Sequence, residues 1–118
     1  MRLAAIALSM ALGLLVGASV EAQESVGRGV GTATCAQFRE LSGTKVTDTG
    51  FTSWAQGFMT GWNFALRPGA PSRNLSALEV STQDFLIREY CDKNPLHLYV
   101  QAVMAVYFQL PELEPKPE

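Results

Sequence analysis

FTSWAQGFMTGWNFAL, residues 51–66, is the stretch that decides the fold. Phe51, Trp54, Phe58 and Trp62 recur at helical spacing and form one ridge on a 3.6-residue period. Beside them Ser53, Gly57, Gly61 and Ala65 are four apart, a row of small side chains that lets another backbone come close. Each mid-helix glycine costs a helix about 1 kcal/mol relative to alanine. The stretch therefore reads as one helix with a ridge and a groove, ended by Pro68 and Gly69.

Working outward, TCAQFREL (34–41) reads as a short helix with Thr34 and Gln37 spaced as a capping box. SGTKVTDTG (42–50) has turn composition, and RPGAPSRNLSALEV (67–80) reads as a loop. STQDFLIREYC (81–91) is a third helix, with Ser81 as the expected N-cap and Asp84 three residues on. NPLHLYVQAVMAVYFQL (94–110) is a fourth. Asn94 suits its N-cap and Pro95 its first turn, and its apolar stripe runs through Leu96, Val100, Val103, Val106 or Tyr107, and Leu110.

The chain's ends are different. Residues 1–22 combine Arg2, an apolar run from Leu3 to about Gly17 and small residues, Val20 and Ala22, at the −3 and −1 positions of a cleavage site after Ala22, the pattern of a cleaved signal peptide. Cleavage there would leave Gln23–Glu118, and residues 23–33 read as a flexible glycine-rich lead-in. Residues 111–118, PELEPKPE, read as a mobile Pro/Glu-rich tail. The expected address is periplasmic or secreted, with no membrane attachment after cleavage.

A single domain of this size buries only about two-thirds of its unfolded surface, so a covalent tie matters. Two cysteines, Cys35 and Cys91, remain in a chain bound for an oxidising compartment, and a disulfide between them is expected. The fold class is then all-α, a small four-helix single domain over residues 34–110 with one disulfide. The formal charge of −2 and the lack of a basic run argue against nucleic acid as a partner.

EYCDKNPLH (89–97) gathers a thiol, carboxylates, an amine and the only histidine. A Cys–His nucleophile would need a free thiolate beside the imidazole, and zinc would need three or four ligands. With Cys91 committed to a disulfide, Asp92 and His97 leave at most one edge of a weak metal site. No phosphate loop, dinucleotide fingerprint or serine-nucleophile motif occurs. The expectation is a protein that is not an enzyme and that carries no cofactor and no metal.

What remains is surface. Trp54, Phe58 and Trp62 read either as core or as part of a homodimer or partner surface together with the Gly57/Gly61 groove, since aromatic residues are enriched in binding hot spots. Tyr99, Tyr107 and Phe108 lie off the main stripe of the fourth helix and are the next candidates for an exposed apolar patch. A small-molecule cavity beside Gly57 and Gly61 is a further option.

The signal sequence, TCAQF opening a short helix, WAQGF with Gly61 in a longer one, and Cys91 closing a third before a fourth together resemble the HdeA/HdeB family of periplasmic acid-stress chaperones. The resemblance implies a dimer at neutral pH and binding of unfolded clients when acid exposes apolar surface. YCDKNPLHLYVQAVMAVYFQL is similar, to a comparable degree, to the ending of the Tai-type immunity proteins that neutralise type VI secretion effectors. That resemblance implies one specific effector as partner. Both point to other proteins as partners.

Overall fold

The computed structural model describes residues 27–114. The expected signal peptide and its cleavage site lie outside these residues. Four helices follow one another: α1 (Cys35–Leu41), α2 (Lys45–Ala65), α3 (Val80–Lys93) and α4 (Tyr99–Gln109), with 3-10 turns at Val30–Thr32 and Leu75–Ala77. The described residues contain no strand, only two isolated bridges. The protein is an all-α domain with one disulfide, Cys35–Cys91.

The capping box at α1 forms as its spacing predicts. The Gln37 backbone amide donates to Thr34 Oγ1 at 3.1 Å, and Thr34 N donates to Gln37 Oε1 at 2.9 Å. The stretch 42–50 departs from expectation, because α2 already begins at Lys45. Thr44 caps it by accepting from Thr47 N, and Asp48 in the first turn accepts from Gly43 N. Thr and Asp that resemble turn residues are here the start of a helix.

Two other boundaries move as well. Helix α3 starts at Val80 after Glu79, so Ser81 is inside it and is not its cap. Asn94 does not open α4. It closes α3, its Nδ2 donating to Tyr90 O and its backbone N–H to Cys91 O. Pro95 then belongs to the turn after a helix, and α4 begins at Tyr99 with Gln101 Oε1 accepting from Leu98 N.

The core is a slab of Cys35, Phe38, Phe51, Ala55, Met59, Ile87, Cys91, Tyr99, Ala102, Val103, Val106, Tyr107 and Leu110. Helix α3 packs along α4, α1 sits against α3 at the disulfide, and α2 lies across α4 and the first 3-10 turn. At the centre Phe38, Phe51 and Tyr99 meet pairwise with ring centroids 4.7–4.8 Å apart. The Tyr99 hydroxyl donates to Phe51 O. Burial, reinforced by the charge of Asp84, pushes the Tyr99 phenol far above its usual range, so it remains a neutral donor.

Both expected flexible ends are partly built into the fold. Val30–Thr32 turns beneath the indole of Trp54, with Gly31 buried against it. On the other side Leu113 N donates to Ser72 O, and Asn74 N to Pro111 O. Arg73 pairs with Glu112 at 3.6 Å. Residues 23–26 and 115–118 lie outside the described residues.

A candidate protein-binding face

Helix α2 has three distinct sides. Phe51, Ala55 and Met59, four residues apart, are its buried line. Trp54, Phe58 and Trp62 are half-buried and flank that line. Ser53, Gly57 and Gly61 face solvent, and a Cβ added at Gly50, Gly57 or Gly61 would meet nothing within 4 Å. Among the described residues no helix lies in this groove, which is therefore open. It is a face and not a cavity, which removes the support for a small-molecule pocket at Gly57 and Gly61.

The half-buried aromatics form a continuous row. Trp54 stacks on Phe58 (centroids 5.2 Å, planes 13° apart), and Phe58 meets Trp62 at 5.8 Å. Phe108 of α4 then approaches Trp62 edge-on at 6.5 Å. Arg73 closes the row, its guanidinium 5.7 Å from the Phe108 ring centre. A hub behind this end fixes it: the Tyr107 hydroxyl donates to Asn63 Oδ1, and Asn63 also bonds both backbone groups of Arg73. Arg73 reaches on to Leu110 O.

Tyr99 and Tyr107 correct the sequence reading. They are 1% and 3% exposed, part of the core and not of a surface patch. The expected stripe was phased on Leu96, but Leu96 precedes the helix and is 87% exposed. The true stripe runs through Tyr99, Ala102, Val103, Val106, Tyr107 and Leu110. Phe108 is half-exposed, as expected.

The sequence reading missed Val46 and Phe64, which are 85% and 86% exposed on the same side of α2 as the glycines. A signal exists for Phe64: Thr49–Leu66 contains no Asp, Glu, Lys or Arg. A solvent-facing helix side normally carries charge.

A polar seam joins α2 to α3. Asp48 pairs with Arg88 at 3.2 Å, Thr52 Oγ1 donates to Asp84 Oδ2, and Gln56 Nε2 donates to Gln83 Oε1. Gln83 is fully buried, and its own amide donates to Leu75 O and Leu78 O, pinning the second 3-10 turn. Burial raises the Asp84 pKa, against the lowering effects of the Thr52 bond and Arg88, with Asp48 adding a smaller rise.

A raised carboxylate pKa means that the fold favours the protonated form. Asp84 thus weakens the protein above its folded pKa, and this penalty disappears as pH falls through that value and on to the unfolded one. Asp84→Asn keeps an acceptor for Thr52. It is expected to raise neutral-pH stability by less than about 1 kcal/mol, the charge being partly solvent-screened. The gain should vanish near pH 3, as urea denaturation at the two pH values will show.

The polar residues and the cysteine of the 89–97 cluster are each engaged structurally. Cys91 is in the buried disulfide, Asp92 pairs with Arg39 at 2.6 Å, and Lys93 pairs with Glu89 at 2.9 Å. His97 Nδ1 shares a 2.7 Å hydrogen bond with the Tyr90 hydroxyl. Among the described residues no three His, Cys, Asp or Glu side chains converge as a metal site would require.

Comparison with protein families, with curated proteins and with solved structures finds no match to this chain. The disulfide is of the kind an oxidising compartment sustains. Among the described residues no helix is long and apolar enough to cross a membrane.

Proposed function

We propose that this is a non-enzymatic, exported protein-binding protein whose working surface is the open side of α2, acting as an HdeA-like stress chaperone. The observation that carries the reading is the charge-free solvent side of a folded helix, with Gly57 and Gly61 bare, Phe64 and Val46 protruding, and the Trp54–Phe58–Trp62 row beside them. Such a surface suits extended apolar segments of other chains, which gain contact area without desolvating a charge.

Acid supplies a trigger of modest strength. Arg39–Asp92, Arg88–Asp48 and Arg73–Glu112 each link different parts of the fold. In acid the net positive charge of the whole chain rises, and self-repulsion works against the compact state that these links help to hold. The Cys35–Cys91 tie keeps the loosened chain from opening fully. Asp84 works in the opposite sense, so the loosening is partial.

A second reading, a periplasmic immunity or inhibitor protein, is favoured by one specific feature: the α2 side is already exposed in the folded chain and needs no rearrangement. That protein would bind one effector tightly at neutral pH.

Light scattering of an aggregation-prone client taken to about pH 2 and neutralised, with and without the protein, separates the two. Suppressed aggregation that is lost when the disulfide is reduced supports the chaperone. No suppression by a protein that is folded at both pH values eliminates it and leaves the inhibitor reading.

A further inference from the structure

Residues 29–33 cross the seam between α2 and α4 as a strap. The turn Val30–Thr32 touches both helices, Val30 packs half-buried against the core, and Gly31 is buried beneath the Trp54 indole. Among the described residues a single backbone bond ties this strap to the helices, from Tyr99 N to Ala33 O at 2.8 Å. Its remaining backbone bonds, Thr32 N to Gly29 O and Ala33 N to Val30 O, close on the strap itself.

Firm attachment begins one residue later. Thr34 opens α1 with its capping box, Cys35 N and Ala36 N donate to His97 O and Pro95 O, and Cys35 is in the disulfide. A hinge at Ala33–Thr34 can therefore release the strap and leave α1 in place. Gly29 and Gly31 favour release, because glycine regains more backbone freedom than any other residue.

The strap covers only one end of an apolar line. From Trp54 the rings of Phe58 and Trp62 lead on to Phe108, and Met104, one turn before Phe108, is half-buried on the same side of α4. Neither wall carries charge: residues 49–66 and 99–110 contain no Asp, Glu, Lys or Arg.

We propose that the strap holds the place of a partner, and that an extended, uncharged segment of another protein displaces it and binds along the α2–α4 seam. This rests on the reading of the chain as a protein-binding protein and adds a site beside the open side of α2. The strap's own residues define the partner segment. It carries a branched aliphatic residue where Val30 lies and glycine next, because a Cβ at that second position would overlap the indole ring. Two residues further on, its carbonyl replaces Ala33 O as acceptor for the Tyr99 amide. Walls without charge offer no counter-ion, so a charged segment is disfavoured.

Amide hydrogen exchange across a urea series below the unfolding midpoint tests the opening. The Tyr99 amide should exchange at a rate almost independent of urea, the sign of a small local opening, while Val103 and Val106 follow the steep dependence of global unfolding. Val30→Ser, which removes a half-buried aliphatic side chain from the strap, should speed Tyr99 exchange about tenfold. A Tyr99 amide that follows Val103 and Val106 throughout shows the strap leaving only with the whole fold and overturns the proposal.

Partner chemistry is tested by titrating the protein with the peptide of residues 27–34 while following the Trp54 indole N–H signal, beside which Gly29 lies. The peptide should bind Val30→Ser about tenfold more tightly than the native protein, since the apparent dissociation constant falls as the open fraction rises. The same peptide carrying Gly31→Val should not bind. No binding of the native peptide to Val30→Ser, or equal binding of both peptides, overturns the site. So does exchange of the strap between two copies, read as a dimer in sedimentation equilibrium that Val30→Ser abolishes. Neither readout uses a client, so their failure leaves the reading of α2 standing.

Discussion

Replacing Cys35 and Cys91 together with alanine is expected to lower the free energy of unfolding by about 4 kcal/mol. The disulfide closes a loop of 56 residues that contains all of α2 and most of α3. Without it the unfolded chain regains that loop's freedom. Both cysteines are essentially fully buried, 0% and 1% exposed, so their removal also loosens packing. Helix α1 has only seven residues, too few to persist alone. It would be held mainly by Phe38 and by the backbone bonds of Cys35 and Ala36 to His97 O and Pro95 O. For a small domain such a loss is a large part of the net stability. Urea denaturation of the double variant, beside the reduced native chain, checks it. A midpoint equal to that of the oxidised protein would show that the helices hold without the tie.

Gly31→Val is expected to cost about 3 kcal/mol, at the upper end for overpacking a filled site. A Cβ at Gly31 would overlap both Cζ2 and Cη2 of Trp54, against a rigid ring that cannot yield like a flexible chain end. The indole would have to leave its place, and its stacking on Phe58 would go with it. Tryptophan fluorescence and near-ultraviolet circular dichroism should therefore change along with the melting temperature. Gly57→Ala should have the opposite sign, adding up to about 1 kcal/mol of helix propensity in open space. A destabilised Gly57→Ala or a neutral Gly31→Val would contradict the placement of α2.

The four-helix order and the disulfide were legible because each has a local cause. Hydrophobic periodicity located α2, the Thr34–Gln37 spacing marked the start of α1, and two cysteines left one pairing. The boundaries were not legible where one residue type serves two purposes. Asn94-Pro95 can open a helix or follow one, and only the bond of Asn94 back to Tyr90 O decides it. Thr44 and Asp48 have turn composition yet cap a helix.

The candidate surface was half-visible for a similar reason. Periodicity placed the aromatics and glycines on adjoining sides of α2, but which side faces solvent depends on α4 and the Val30–Thr32 turn. Trp54 is half-covered because Gly31 lies beneath it, a contact between residues 23 positions apart that no local pattern announces. Tyr107 is buried because its hydroxyl finds Asn63, itself tied to Arg73. Phe64 could have been found from the absence of charge around it.

The central claim is that other proteins bind on the open side of α2. A photoreactive amino acid placed in turn at positions 57, 64 and 85, with reduced α-lactalbumin as a defined unfolded client in excess, tests it most directly. Phe85, on α3 and 64% exposed, is the apolar control away from that side. The account predicts client adducts from positions 57 and 64 and few from 85. Equal labelling from all three, or labelling from 85 alone, would contradict it.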